Sequence, residues 1–221
     1  MTQTLQVSDI QLKDAVLDEL RWVPSINATH VGVAVNEGAV TLSGEVDSYP
    51  EKLLAGQAAQ RIRGVLGIAQ EITVRSLWSD VNDTDIARRA GQALRFAIDV
   101  PDTIHVAVRE HDITLSGEAM WDYQREAAHR AVQYIRGVHN VINTVTLTPR
   151  VTTANIKSAI EAALSRHARI EGEHVTVTTD SLGVVTLTGR VNSWLERREA
   201  ETVSWGAPGV TGVTNHLRIG W

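Results

Sequence analysis

The stretch Thr41-Leu42-Ser43-Gly44 returns as Thr114-Leu115-Ser116-Gly117 and, with one hydroxyl exchanged for another, as Thr186-Leu187-Thr188-Gly189. The copies lie 73 and 72 residues apart. Twenty residues after each glycine a Gly-Val pair follows: Gly64-Val65, Gly137-Val138 and Gly209-Val210. Two marks held at one separation in three places define an internal repeat. The 221 residues therefore divide into three units of about 70, near the lower limit for a self-sufficient hydrophobic core. The expected bounds are residues 8–75, 82–148 and 152–220.

Working outward from these marks gives each unit the same order of elements. Leu12, Val16 and Leu20 recur every four residues, as do Ile86, Ala90 and Leu94, and Ile156, Ile160 and Leu164. That spacing is one apolar stripe on an amphipathic helix. Ser8 with Gln11 has the form of a capping box at the first helix start. Val31, Val33 and Val35, then Ile104, Val106 and Val108, then Val175 and Val177 alternate with small or polar residues. Period two with β-branched side chains predicts a half-buried strand. Turn residues separate it from a second strand, Val40–Leu42, Ile113–Leu115 or Val185–Leu187, so the pair reads as a hairpin ending near the repeated glycine.

A second helix is expected after that glycine. Ser48 with Glu51 and Ser193 with Glu196 are Ser-x-x-Glu capping boxes, whereas the middle copy has Trp121 in the serine position. Its buried stripe is rich in alanine: Ala55, Ala58, Ala128, Ala131 and Ala200. Gly64, Gly137 and Gly209 suit the helix stop, where a positive φ is needed. A third strand closes each unit, with an amide six residues past that glycine: Gln70, Asn143 and Asn215. A helix between two strands of one sheet favours a right-handed parallel crossover. The fold class is therefore α+β. It comprises three tandem αββαβ modules, each a three-stranded mixed sheet covered on one face by two helices.

This pattern resembles the BON family, named for bacterial osmotic-shock and nodulation proteins. The Val-x-Val strands, the Thr-Leu-Ser/Thr-Gly segments and the closing Gly-Val-x-x-Val-x-Asn of Gly137–Asn143 and Gly209–Asn215 carry the resemblance. The first copy departs from it by ending in Gln70. The resemblance implies a small binding module, with proposed roles at phospholipid membranes and in osmotic or envelope stress, and it implies no catalytic residues. Many relatives are periplasmic or lipid-anchored.

Composition narrows the functional classes. Hydrophobic residues make up 43% and charged residues 21% of the chain, the balance of an ordinary globular protein. A net charge of −5 argues against a general grip on nucleic acid. The absence of cysteine removes disulfides, thiolate catalysis and cysteine-based metal sites. No stretch approaches 18 apolar residues, so no transmembrane helix is expected. The start Met1–Asp9 has no signal-peptide pattern. The expectation for the chain as written is cytoplasmic, and periplasmic if a signal has been removed.

Shared motif residues read as structural: Gly44, Gly64, Gly117, Gly137, Gly189 and Gly209 supply backbone freedom, and Asn143 and Asn215 bond nearby backbone. Function is expected where the copies differ. The last 72 residues carry eight bases and seven acids, while each of the first two units is net −3. In that third unit Arg166, Arg169, Arg190, Arg197 and Arg198 with Trp194 form a candidate lipid-headgroup patch, against the simpler reading of a solvated face with intrahelical pairs such as Arg197–Glu201. Trp22 and Phe96 match at the end of the first helix and read as core or capping residues, with Arg166 in the third copy. Trp78 and Trp221 read as packing between units or against a partner. His105, Glu110 and His111 cluster at one hairpin, but neither histidine recurs, and a solvated face fits better than a metal site. No Walker loop, Gly-x-Ser-x-Gly or HExxH occurs. The expectation is a non-enzymatic binding protein without metal or cofactor, at an anionic phospholipid surface. The alternative is a protein–protein scaffold or homo-oligomer joined through open sheet faces or edges.

Overall fold

The computed structural model describes residues 8–75, 81–148, 155–166 and 175–220. Trp78, Arg169 and Trp221 lie outside the described residues.

Each module follows the predicted order. The first holds α1 (Asp9–Trp22), β1 (Val31–Asn36), β2 (Ala39–Val46), α2 (Tyr49–Gln60) and β3 (Gly67–Val74). The middle one holds α3 (Asp83–Phe96), β4 (Ile104–Arg109), β5 (Asp112–Ala119), α4 (Asp122–Val132) and a third strand in two pieces, β6 (Asn140–Asn143) and β7 (Thr146–Leu147). The last holds α5 (Ile156–Arg166), β8 (Val175–Thr179), β9 (Val184–Val191), α6 (Trp194–Trp205) and β10 (Gly212–Ile219). The sheets run β1-β2-β3 and β8-β9-β10, and in the middle module β4-β5-β6 with β7 beside β5. In the outer modules the hairpin partner is antiparallel and the closing strand parallel, so the sheets are mixed as expected. By packing, the chain forms two compact units whose division runs through the middle module.

The apolar stripes face the sheets. Leu12, Val16 and Leu20 are buried, as are Ile86, Ala90 and Leu94, and Ile156, Ile160 and Leu164. They meet the inward residues of the strands: Val40 and Leu42 in the first module, Val185 and Leu187 in the third. Each of the Val, Leu and Ile side chains so removed from water contributes about 1.5–3 kcal/mol. Ala55 and Ala200 are fully buried on the second helices, where a small side chain lets the helix lie close on its sheet. Both helices of an outer module pack on the same face. The other face is open.

The hairpin turns are held from outside. Glu37 and Gly38 have φ of 48° and 78°, and Glu110 and His111 have 52° and 68°. Positive φ at both central residues is the geometry of a two-residue type I′ turn, costly for residues with a Cβ. The first residue of the preceding helix offsets that cost. Asp9 accepts the Glu37 and Gly38 amides at 2.8 and 3.1 Å, and Asp83 accepts those of Glu110 and His111 at 2.9 Å each. These bonds, that from His111 first, hold the Asp83 carboxyl below its usual range. The third hairpin is longer and carries its own clamp: Asp180 accepts the amides of Leu182 and Val184.

One expectation needs correction. The second strand does not end at the repeated glycine but runs through it to Val46, Ala119 or Val191. The glycine is required inside the strand instead. Gly44 and Gly117 have φ of 108° and 118°, and a Cβ there would sit 2.0 Å from the carbonyl oxygen of His30 or Thr103. The second repeated glycine is where expected. Gly64, Gly137 and Gly209 have φ of 96°, 89° and 93° and follow the last residue of the second helix by one tight turn.

Candidate functional surfaces

The residues common to the three modules serve the fold. Ser48 and Ser193 cap the second helices by accepting the amides of Glu51 and Glu196. The glutamates reach one residue further back than a simple box, to the amides of Asp47 and Asn192 at 2.9 and 3.0 Å. Glu51 also accepts the Asn27 amide at 2.6 Å and is almost wholly buried. In the middle module Trp121 cannot cap, but Gln124 keeps the other half of the device by accepting the amides of Met120 and Trp121. The closing amide behaves as predicted. Gln70, Asn143 and Asn215 donate to the carbonyls of Lys52, Arg125 and Arg197, which hold equivalent places in the second helices.

The arginines singled out in the third module do not all share one surface. Arg166, at the end of α5, and Arg198, on α6, are exposed on the helical side. Arg190 is exposed on β9, where alternation with the buried Leu187 and Val191 sets it on the opposite, open sheet face. Arg197 was expected to be an exposed cation and is not. Its guanidinium donates to the carbonyls of Asn215 at 2.7 Å and Leu217 at 3.2 Å, and lies 5.1 Å from the centre of the Trp194 ring. Glu201, its expected helical partner, accepts from Asn215.

Trp22 and Phe96 also depart from expectation. They are 82% and 84% exposed, not core residues. Each lies two residues past the last stripe position, Leu20 or Leu94, and two residues turn a helix by about 200°. Each directly follows an arginine, Arg21 or Arg95, in the last helical turn. The equivalent end of α5 carries Arg166. Two first helices therefore end in an exposed Arg-aromatic pair.

A cleft of about 370 Å³ opens beside the start of α2, with Asp47, Tyr49, Arg75, His111, Arg136 and His139 on its walls. Arg75 pairs with Asp47. The rings of His111 and His139 stack with centroids 4.7 Å apart. His111 donates Nδ1–H to the Gly137 carbonyl at 2.8 Å, which fixes its tautomer. Burial, reinforced by His111, pushes the His139 pKa down. Burial likewise pushes the Tyr49 hydroxyl up. Among the described residues no three His, Asp or Glu side chains gather as a metal ligand set, and His105 is exposed away from His111 on β4.

Comparison with known proteins agrees with the repeat. The BON domain matches residues 8–76, 82–149 and 152–220. The chain belongs to the BON family. A search of curated proteins finds no match. Among solved structures, the C-terminal domain of CdsD, the structural protein of the type III secretion system of Chlamydia trachomatis, overlaps with a TM-score of 0.28 at 15% identity. That overlap covers 97% of this chain and 100% of the other. The PrgH periplasmic domain overlaps with a TM-score of 0.23 at 13% identity, over 93% and 100%. Overlaps this loose bear on neither fold nor function. The three BON modules coincide with the three αββαβ units, and among the described residues no helix is long and apolar enough to cross a membrane.

Proposed function

We propose that this BON protein acts by binding, without bond chemistry, and that it associates peripherally with anionic phospholipid surfaces. The observation that carries the reading is the exposed Arg-aromatic pair at the ends of α1 and α3, Arg21-Trp22 and Arg95-Phe96. An aromatic ring beside a cation suits the membrane interface, where the ring leaves water and the cation meets headgroup phosphate. Ile98, fully exposed two residues beyond Phe96, adds apolar area at the second helix end. Arg166 and Arg198, on the helical side of the third module, supply further exposed cations, each contributing about 1 kcal/mol close to an anionic leaflet. A role in envelope or osmotic stress is proposed together with this reading.

Co-sedimentation with vesicles tests it. The chain is expected to pellet with phosphatidylglycerol vesicles at low ionic strength, to stay soluble with phosphatidylcholine, and to release as salt rises. Trp22→Ala with Phe96→Ala should weaken binding at least about tenfold, since each ring removed from water contributes about 1.5–3 kcal/mol. No pelleting with anionic vesicles at low salt, or unchanged pelleting of the double variant, rejects the proposal.

A further inference from the structure

The open faces of the first and third sheets present opposite charge at the same repeat positions, and we infer that they dock two copies of this chain head to tail. Position by position, Arg190 in β9 corresponds to Glu45 in β2, and His216 in β10 to Glu71 in β3. Arg218 corresponds to Thr73. The first module's open face thus carries two carboxylates and the third module's two guanidiniums with an imidazole.

Each face has a reason to meet a partner. Arg190 and Arg218 stand directly abreast on parallel strands, about 4.8 Å apart in backbone spacing. Like charges so placed repel unless an anion comes between them. His216 sits on the same face, and the three line one shallow open surface with Thr188. Glu45, Glu71, Arg190, His216 and Arg218 are all exposed. Among the described residues, none of Glu45, Glu71, Arg190 and Arg218 makes an ion pair within the chain.

Both faces are built of small residues. The first is floored by Gly32, Ala34, Ala39 and Ala69, with Thr41, Ser43 and Thr73 beside the carboxylates. The third is lined by threonines, including Thr176, Thr178 and Thr214, from which the arginines project. The middle module's face mixes charges, Arg109 with Asp112 and Glu118, and Arg109 pairs with Glu110 in the adjoining turn. It has no such polarity.

Because the two docking faces differ, the contact is heterologous. Two copies joined once leave one acidic and one basic face free, so assembly closes into a ring of two or more copies or continues as an open filament. Three strands of up to eight residues offer roughly 26 by 14 Å, so a joint buries on the order of 800 Å² in total, about half a standard stable interface. Each joint is therefore weak, reversible and sensitive to salt.

Sedimentation velocity on the full chain tests this without lipid, so its outcome is separate from that of the vesicle assay. Wild-type weight-average mass is expected to rise at least twofold with concentration at low ionic strength and to return to monomer at high salt. Arg190→Glu with Arg218→Glu should be monomeric throughout, and so should Glu45→Lys with Glu71→Lys. All four positions are exposed, so circular dichroism and melting of both variants should match wild type. An equimolar mixture of the two variants should assemble again, since each then offers the face the other lacks. A wild type that stays monomeric at every concentration overturns the inference. So does a variant that assembles like wild type, or a mixture that remains monomeric.

Discussion

Gly117 and Gly91 are the same residue under opposite constraints. At Gly117 φ is 118° and an added Cβ would meet the Thr103 carbonyl at 2.0 Å, whereas at Gly91, inside α3, nothing lies within 4 Å of that point. Gly117→Ala is expected to destabilise by about 2–4 kcal/mol, and Gly91→Ala to stabilise by about 0.5–1 kcal/mol. Urea titration of the two variants checks both signs. The repeat revealed that Gly117 matters, because the same residue stood at the same place three times. It does not reveal why: the sequence alone reads the glycine as a strand end, and the collision with a neighbouring carbonyl is a fact of three dimensions. Titratable residues add a pH dependence. The His139 pKa is lowered by burial, so the folded state resists its protonation. Its contribution is complete above the usual histidine value, about 6.5, and falls as pH drops through the window below it. The lowered Asp83 carboxyl holds its contribution above the usual aspartate value, about 3.9, and loses it as pH falls through the folded value. Melting temperature should therefore decline in two steps on acidification. His139→Gln should shrink the first step, His129 supplying the rest because burial lowers its pKa too, and Asp83→Asn should flatten the second. A variant whose profile keeps its step at full height would show that another group titrates there.

The helix starts are the elements in which the three modules differ most usefully. Glu51 satisfies two backbone amides while nearly buried, Glu196 accepts from Asn192, and Gln124 does the work without a serine beside it. Glu51→Ala leaves two donors unpaired and should cost about 2–4 kcal/mol, whereas Gln124→Ala, at a more open site, should cost about 1 kcal/mol. Equal losses in chemical denaturation would contradict this reading of the caps. Both capping boxes were legible because the signal is local, a serine three residues before an acid. The helix stripes were legible for the same reason. The fates of Trp22 and Phe96 were less so. Their bulk suggested a core place, but their offset of two residues from Leu20 and Leu94 sets them on the far side of the helix. The offset was readable in the sequence and outweighed the size of the ring. Arg197 was not readable. Its use as a donor to two strand carbonyls depends on where β10 passes beneath α6.

At the scale of the molecule, three copies of one fold share a scaffold and differ in what they show to solvent. The structural residues could be found by comparing the copies, since packing demands the same answer each time. The surfaces could be located only as differences, and the sheet and helix faces on which those differences gather emerge from the fold. The central claim is that the aromatic ends of the first helices are where this protein meets lipid. Quenching of tryptophan fluorescence by brominated acyl chains measures that meeting directly. The full chain is mixed with anionic vesicles containing brominated lipid at low ionic strength, beside the Trp22→Phe variant. The prediction is clear quenching in the wild type and a large loss of it in the variant, since Trp22 is the ring proposed to enter the interface. Quenching of equal depth in both proteins, or none in either, would contradict it.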